Sequence, residues 1–302
     1  MFNNKKIIAI VVTHNGEFHL PNIIPALRKQ TINPDEIVII DNGSTDNSYQ
    51  WLNEQEDLTV IKQKNLGRAG GQFTGITYAY KQKADFMWCL DQDIIPAENA
   101  LEKLVNTEEA FSEDTGFITS LMVDNNNKIS NSNIPELESS SIVLNNLHER
   151  RLKRVISGSF GSLLITFKAV KDCGLPAKDF FIWGDDDEYT LRMVSKGYKG
   201  YLAMKSICIH NQENSSANLY AIQEPSSLKL KYGVRNMVYV IKKRNKIAHN
   251  SQLSFSSSFM FVMQILKARK KLNRLNDYKF YFVVIISYIK GLFFNPHLPY
   301  IT

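Results

Sequence analysis

The sequence predicts an α/β domain, a mainly parallel sheet covered by helices on both faces, followed by a helical C-terminal extension. Three observations lead there. Up to about residue 123, short β-branched apolar runs alternate with polar turns and helical periods. Those runs are apolar on both faces, as strands enclosed by two helical layers must be. After Pro225 the alternation gives way to long apolar stretches around a basic run. The chain therefore divides into a sheet domain, 1–225, and an extension, 226–302.

The elements follow in order. "IIAIVVT" (Ile7 to Thr13) reads as the first strand, followed by a helical period near Leu20 to Gln30. "EIVIID" (Glu36 to Asp41) leads through "NGSTDNS" to a short helix, and "LTVIKQ" leads through "NLGRAGG" to a helix over Gln72 to Lys83. "FMWCL" (Phe86 to Leu90) ends at "DQD", and a helix is expected from Ala97 to Phe111. In open sheets of this kind ligands sit beyond the carboxyl ends of the strands, where each of these polar turns falls. From Asp124 to about Arg151 the Asn- and Ser-rich chain predicts a long loop, either covering a substrate or without fixed structure. "GSLLITF" then reads as a strand, Lys168 to Cys173 as a short helix, "WGDDDEY" as the start of a helix to Lys196, and "SICIH" as a strand ending at His210.

Composition narrows the function classes. A chain of 302 residues, 44% hydrophobic and 22% charged, can bury a sizeable core. Its formal charge of +6, weighted towards the end, favours an anionic partner: nucleotide phosphates, a membrane surface or nucleic acid. The apolar content of the basic tail fits lipid better than nucleic acid. Cys89, Cys173 and Cys208 lie far apart without a CxxC pair, which points to buried thiols in a reducing compartment. Ile7 to Val12 is too short for the core of a secretion signal, and no stretch reaches the ~18 apolar residues of a spanning helix. The expectation is a cytoplasmic protein, peripheral at the inner face of the cell membrane. A helical subdomain or homodimer contact is the other reading of the tail.

Four groups could carry chemistry. Asp91 and Asp93 flank Gln92 just past a buried strand, where two carboxylates can converge on one hard cation, Mn2+ or Mg2+, or else form a turn. Thr13, His14 and Asn15, with Asp41 to Asp46, can bond the edge of a base and a ribose, though Ser44 and Asp46 are also good helix caps. Asn65 to Gly71 is a glycine-rich helix start suited to an anion. It is neither GxGxxG nor a Walker loop, which argues against a dinucleotide oxidoreductase and a P-loop NTPase. His210 could complete a carboxylate metal site. In the acidic run, Asp185 and Glu188 have capping-box spacing, Asp187 falls near the stripe of Leu191, Val194 and Tyr198, and Asp186 points elsewhere.

Taken together and in order, "VVTHN", "DNGSTD", "NLGRAGG", "LDQD", "FIWGDDDEYTLR" and "ICIHN" resemble the family 2 inverting glycosyltransferases with their GT-A fold. The resemblance covers about two-thirds of the chain and implies a nucleotide-diphosphosugar donor, UDP- or dTDP-linked. It implies that Thr13, Asn15, Asp41, Asn65, Gly67, Arg68, Gly70, Gly71, Asp91 and Trp183 bind the donor. Asp91, Asp93 and His210 would hold the cation, Asp186 would be the base, and Asp185 and Asp187 would serve the acceptor or stand as alternative bases. "FIWGDDDEYTLR" looks most like galactofuranosyltransferases, and DQD also suits rhamnosyltransferases. "KYGVRN" (Lys231 to Asn236) resembles the stretch after the catalytic domain of such enzymes, whose lipid-linked saccharide acceptors favour a membrane location. A nucleotidyltransferase needs no base motif ninety or so residues after DxD, and an inactive membrane scaffold would show decayed site residues.

Overall fold

The computed structural model describes residues 3–130, 135–138, 152–210, 220–247, 253–272 and 277–300. Within them one nine-stranded sheet forms from β1 (Ile7–Thr13), β2 (Glu36–Asp41), β3 (Leu58–Lys62), β4 (Phe86–Asp91), β5 (Ile94–Pro96), β6 (Thr115–Val123), β7 (Leu152–Val155), β8 (Ser162–Thr166) and β9 (Lys199–His210). The spatial order is β3-β2-β1-β4-β8-β6-β9-β5, with β7 also on β9. All seven residues of β1 are buried. Ile7, Ala9 and Val11 enter one core, and Ile8, Ile10 and Val12 enter the other. A strand that meets water on neither face has to be apolar throughout.

The helices are α1 (Leu20–Arg28), α2 (Ser48–Asn53), α3 (Gly67–Lys81), α4 (Ala100–Val105), α5 (Phe167–Cys173), α6 (Asp185–Ser195), α7 (Leu228–Ile247), α8 (Leu253–Lys271) and α9 (Tyr278–Phe293). Leu20, Ile23, Ile24 and Leu27 of α1, with Leu52 and Leu101, pack on one face of the sheet. Ile76, Val170, Tyr189 and Met193, from α3, α5 and α6, pack on the other.

The expected parallel pairing holds for β3-β2-β1-β4. Beyond β4 the sheet is mixed: β8 runs against both β4 and β6, while β6 and β9 are parallel. Three strands were not predicted as such, β5, β6 and β7. Helix α3 begins at Gly67 rather than Gln72, so the glycine-rich stretch is its first turn and not a loop ahead of it. The helix expected over Ala97 to Phe111 is broken after Val105, because Thr107 is extended and caps a separate 3-10 turn, Glu108–Phe111, through Ala110 N. Of the predicted long loop, 124–130 turns back so that Ile129 bridges Val123, and Leu137 bridges Val155. Residues 131–134 and 139–151 of that loop, with Asn211 and Arg274, lie outside the described residues. The three cysteines are free and buried.

In the extension, Leu230, Val234 and Val238 of α7 meet Val262, Ile265, Phe280 and Val284 of α8 and α9. The other side of α7 joins the sheet domain, where Val240 packs with Phe180 and Leu191. Gly291 allows close approach of α9 to α7: a Cβ there would stand 2.6 Å from the Arg235 carbonyl oxygen.

Candidate active site

Strands β1 and β4 end side by side, with Val12 opposite Asp91 in the register. The chain then turns through Gln92 and Asp93 into β5, which pairs with β9 so that Ile94 faces His210. That register brings Asp93 Oδ2 to 3.3 Å from His210 Nε2. The middle residue of the DxD stretch serves the strand ends: Gln92 Oε1 accepts from Thr13 Oγ1 at 2.6 Å and from His14 N at 2.9 Å. Beside them, Asn42 Oδ1 accepts from Leu66 N at 3.1 Å and its Nδ2 donates to Gly67 O at 3.0 Å, fastening the end of β2 to the start of α3. A cavity of ≈ 840 Å³ opens over these ends, within the range of ligand sites, and includes Thr13, Asn65, Gly67, Arg68, Asp91 and Asp93 in its lining.

Arg68, in the first turn of α3, gathers the acids of two distant motifs. Its Nη1 donates to Asp91 Oδ2 at 3.1 Å and its Nη2 to Asp185 Oδ1 at 2.7 Å, with Asp186 Oδ2 at 2.9 Å. Burial pulls the guanidinium pKa down, but attraction to Asp185, Asp186 and Asp91 outweighs it and leaves the pKa well above the ordinary value. Asp91 is pushed up to about 6, chiefly by burial, with Arg68 opposing and Asp93, Asp186 and Asp185 adding. Burial likewise raises Asp185. Asp187 is not among the acids paired with Arg68; among the described residues it faces Arg244 at 3.9 Å. Burial first, then Asp186, pushes Asp187 up to about 7.

The far wall is an unusual loop. Phe181 (φ 62), Trp183 (φ 62) and Gly184 (φ 79) all take positive φ, which aromatic residues avoid. The surroundings hold it there. Buried Asn236 of α7 donates from Nδ2 to the carbonyls of Phe180, Ile182 and Trp183 at 2.8, 2.9 and 2.7 Å. Ala69 N donates to Phe181 O at 3.2 Å. The Trp183 ring lies on Gly233, where a Cβ would come within 2.3 Å, and meets Tyr220 edge-on at 4.9 Å.

Several expected site residues act otherwise. Asp185 is not the N-cap: Gly184, in the left-handed region, holds that position, and the Asp185 carboxylate is drawn to Arg68 instead. Asp185 is buried against Arg68 and, unlike Asp186 and Asp187, does not line the cavity. Glu188 closes no capping box, since it pairs with Arg192 at 2.9 Å and Lys243 at 2.6 Å. Gly70 and Gly71 do not line the cavity; a Cβ on Gly71 would meet Val12 of β1 at 2.4 Å, and one on Gly70 would meet Leu66, the N-cap of its own helix, at 2.3 Å. Asn15 is tied to the turn after β2, its Oδ1 accepting from Thr45 N at 2.8 Å. Asp41 is fully buried and, unlike its neighbour Asn42, does not line the cavity; among the described residues its Oδ2 has no hydrogen-bond partner.

The proposed metal trio divides. Asp93 and His210 face each other, whereas Asp91 is engaged by Arg68, and among the described residues no three His, Cys, Asp or Glu close into a metal cage. One carboxylate and one imidazole suit a divalent ion that takes its remaining ligands from phosphate and water. Sequence reasoning missed Gln92 and Asn236 as site-builders. "KYGVRN" marked the neighbourhood of Asn236 without its role.

The chain is similar to proteins of one family. The profile described as Glycosyl transferase family 2 matches residues 8–170. Galactofuranosyltransferase GlfT1 of Mycobacterium tuberculosis is 32% identical over 93 residues, 30% of this chain and 31% of that protein. The O-antigen chain rhamnosyltransferase RfbN of Salmonella typhimurium is 31% identical over 103 residues, 33% of this chain and 32% of that one. The matches thus span about a third of these relatives' length. Among solved structures, residues 1–349 of Staphylococcus aureus TarS superpose with a TM-score of 0.59 at 16% identity, over 95% of this chain and 80% of that one. GalNAc-T7 with UDP, GalNAc and Mn2+ gives a TM-score of 0.60 at 16% identity, over 80% of this chain and 48% of that one. With a GT-A fold, and a family profile that covers more than half its length, the chain belongs to glycosyl transferase family 2.

Proposed function

We propose that the protein is an inverting glycosyltransferase that moves a sugar from a nucleoside diphosphate to a lipid-linked saccharide in cell-surface polysaccharide synthesis, at the cytoplasmic face of the membrane. One observation carries the reading. The Asp186 carboxylate stands on the cavity wall 2.9 Å from Arg68, which also holds Asp91 at the end of β4. A base and the donor-side strand end thus share one cavity.

In this reading Asp186 takes the proton of the acceptor hydroxyl as its oxygen attacks the anomeric carbon, opposite the departing diphosphate. Asn42, which lines the cavity beside buried Asp41, is placed to meet the donor's base. Trp183 offers an aromatic face to a sugar ring. Asp93 and His210 would hold a divalent ion, which when bound would supply neutralising charge for the leaving diphosphate.

Galactofuranose from UDP-galactofuranose is the preferred donor reading, supported by the likeness to GlfT1. Rhamnose from dTDP-rhamnose is the second, supported by RfbN. The test offers the full chain UDP-galactofuranose, dTDP-rhamnose, UDP-galactose and UDP-glucose with manganese and lipid-linked acceptors. One donor is expected to be transferred with inverted anomeric configuration, and chelation should slow transfer until manganese is restored. Retention of configuration would overturn the inverting mechanism. Formation of a nucleotide sugar from a sugar phosphate, with no transfer, would make the protein a nucleotidyltransferase.

A further inference from the structure

Helix α9 is apolar on the side where a surface helix is ordinarily polar. Phe280, Val284, Ser287 and Gly291 are buried towards the bundle. On the opposite side Tyr278, Phe282, Ile285, Ile289 and Phe293 recur at helical spacing and stand in solvent, Phe282 at 66% and Phe293 at 81% exposure. Counted at about 100° per residue, these five fall within one stripe, and exposed Lys279 and Lys290 both lie along the same flank of it. Neighbouring α8 continues the pattern, with Phe259 and Met260 exposed and Lys267, Lys270 and Lys271 exposed in its last turns.

Charge identifies the occupant. Residues 226–302 carry fourteen Lys and Arg against one acid, Asp277. That acid is paired with Arg269, on the buried side of α8. The remaining 225 residues carry twenty-two Lys and Arg against twenty-nine Asp and Glu, so the net positive charge of the protein comes wholly from the extension. A second copy of this chain would set such a surface against its own positive charge. The α9 helix has 16 residues, about 24 Å at 1.5 Å per residue, short of the ~30 Å hydrocarbon core. Among the described residues no helix is long and apolar enough to cross a membrane.

We propose that the outward stripe of α9, with its flanking lysines and the exposed end of α8, is a docking face for an anionic phospholipid bilayer. The helix lies in the plane of the interface. Its apolar side chains enter the acyl boundary while Lys279 and Lys290 extend to the phosphates. The inference gives the membrane location proposed above a specific surface, and it does not depend on which sugar is moved.

The test is flotation of the full chain with vesicles of phosphatidylcholine alone or mixed with phosphatidylglycerol. The parent is expected to float with the mixed vesicles and to be released by salt. Phe282→Ser with Ile289→Ser should weaken binding at least tenfold or so. Lys279→Gln with Lys290→Gln should weaken it about fivefold for each lysine, on anionic vesicles only. All four residues are exposed, and unchanged circular dichroism and donor hydrolysis would verify that the variants keep their fold. Failure of the parent to float, or undiminished binding by the serine variant, overturns the proposal. So does a parent dimer that the serine variant splits while its vesicle binding persists, since the stripe would then join two copies. A chain that floats yet transfers no sugar leaves the docking face standing and removes the glycosyltransferase reading alone.

Discussion

Arg68 and Asp185 stand 117 residues apart in the chain and 2.7 Å apart in space. The contact ties the first turn of α3 to the first turn of α6. Since the Asp185 side chain is fully buried, removing its partner leaves an uncompensated charge. Arg68→Met is expected to lower stability by about 3–5 kcal/mol in urea unfolding. Adding Asp185→Asn to that variant should recover part of the loss, as coupled sites do. Additive losses would show that the two groups do not interact.

Asp186 and Asp187 are neighbours with different surroundings, and kinetics should separate them. Asp186→Asn is expected to reduce transfer kcat by about 10²–10⁴ with donor affinity kept. Asp187→Asn should retain most of kcat and change the acceptor KM instead. The reverse pattern would transfer the base role to Asp187.

The raised pKa of Asp187 makes a stability prediction with a definite sign. Its carboxyl titrates near 3.8 when unfolded and at about 7 when folded, so the folded state binds the proton more tightly. Its contribution to stability is complete below the unfolded pKa and is lost as pH rises to about 7. Asp187→Asn should therefore raise Tm by a few degrees at alkaline pH and leave it nearly unchanged in acid. Thermal unfolding at several pH values checks this; an equal shift at every pH would contradict it.

Asn236 is expected to act at a distance, through the loop that carries Trp183. Asn236→Leu conserves bulk but leaves the carbonyls of Phe180, Ile182 and Trp183 without their shared donor. A loss of about 1–3 kcal/mol should follow. The KM for the donor sugar should rise if Trp183 binds it, and an unchanged donor KM would remove that role from the loop.

Legibility in the sequence followed locality. Strands β1 and β2 were bounded to the residue, because an Ile- and Val-rich run buried on both faces needs no partner to be recognised. Asp91, Asp93 and His210 drew notice because each lies at a strand end, Asp186 because of the family resemblance, and all four line one cavity. The failures were non-local. Strands β5 and β7 are only three and four residues long and exist through β9, far away in the chain. The start of α3 was misplaced because its glycines suggested a loop, whereas Gly71 and Gly75 serve its approach to Val12 and Ile10. The capping-box reading of Asp185 and Glu188 followed spacing within one helix, and the cations that claim those acids include Arg68 and Lys243 from two other helices. Nothing in the sequence announces positive φ at Phe181 and Trp183.

Gly233 and Asn236 bear on how such proteins can be recombined. The wall of the cavity that carries Trp183 rests on α7, and α7 also carries α9. A chimera joined at residue 225 would import a foreign support for the tryptophan loop along with a foreign tail. On the proposed roles of Trp183 and α9, sugar preference and attachment would then be inherited as one trait, and a graft meant to alter where the protein docks would also alter which sugar it takes.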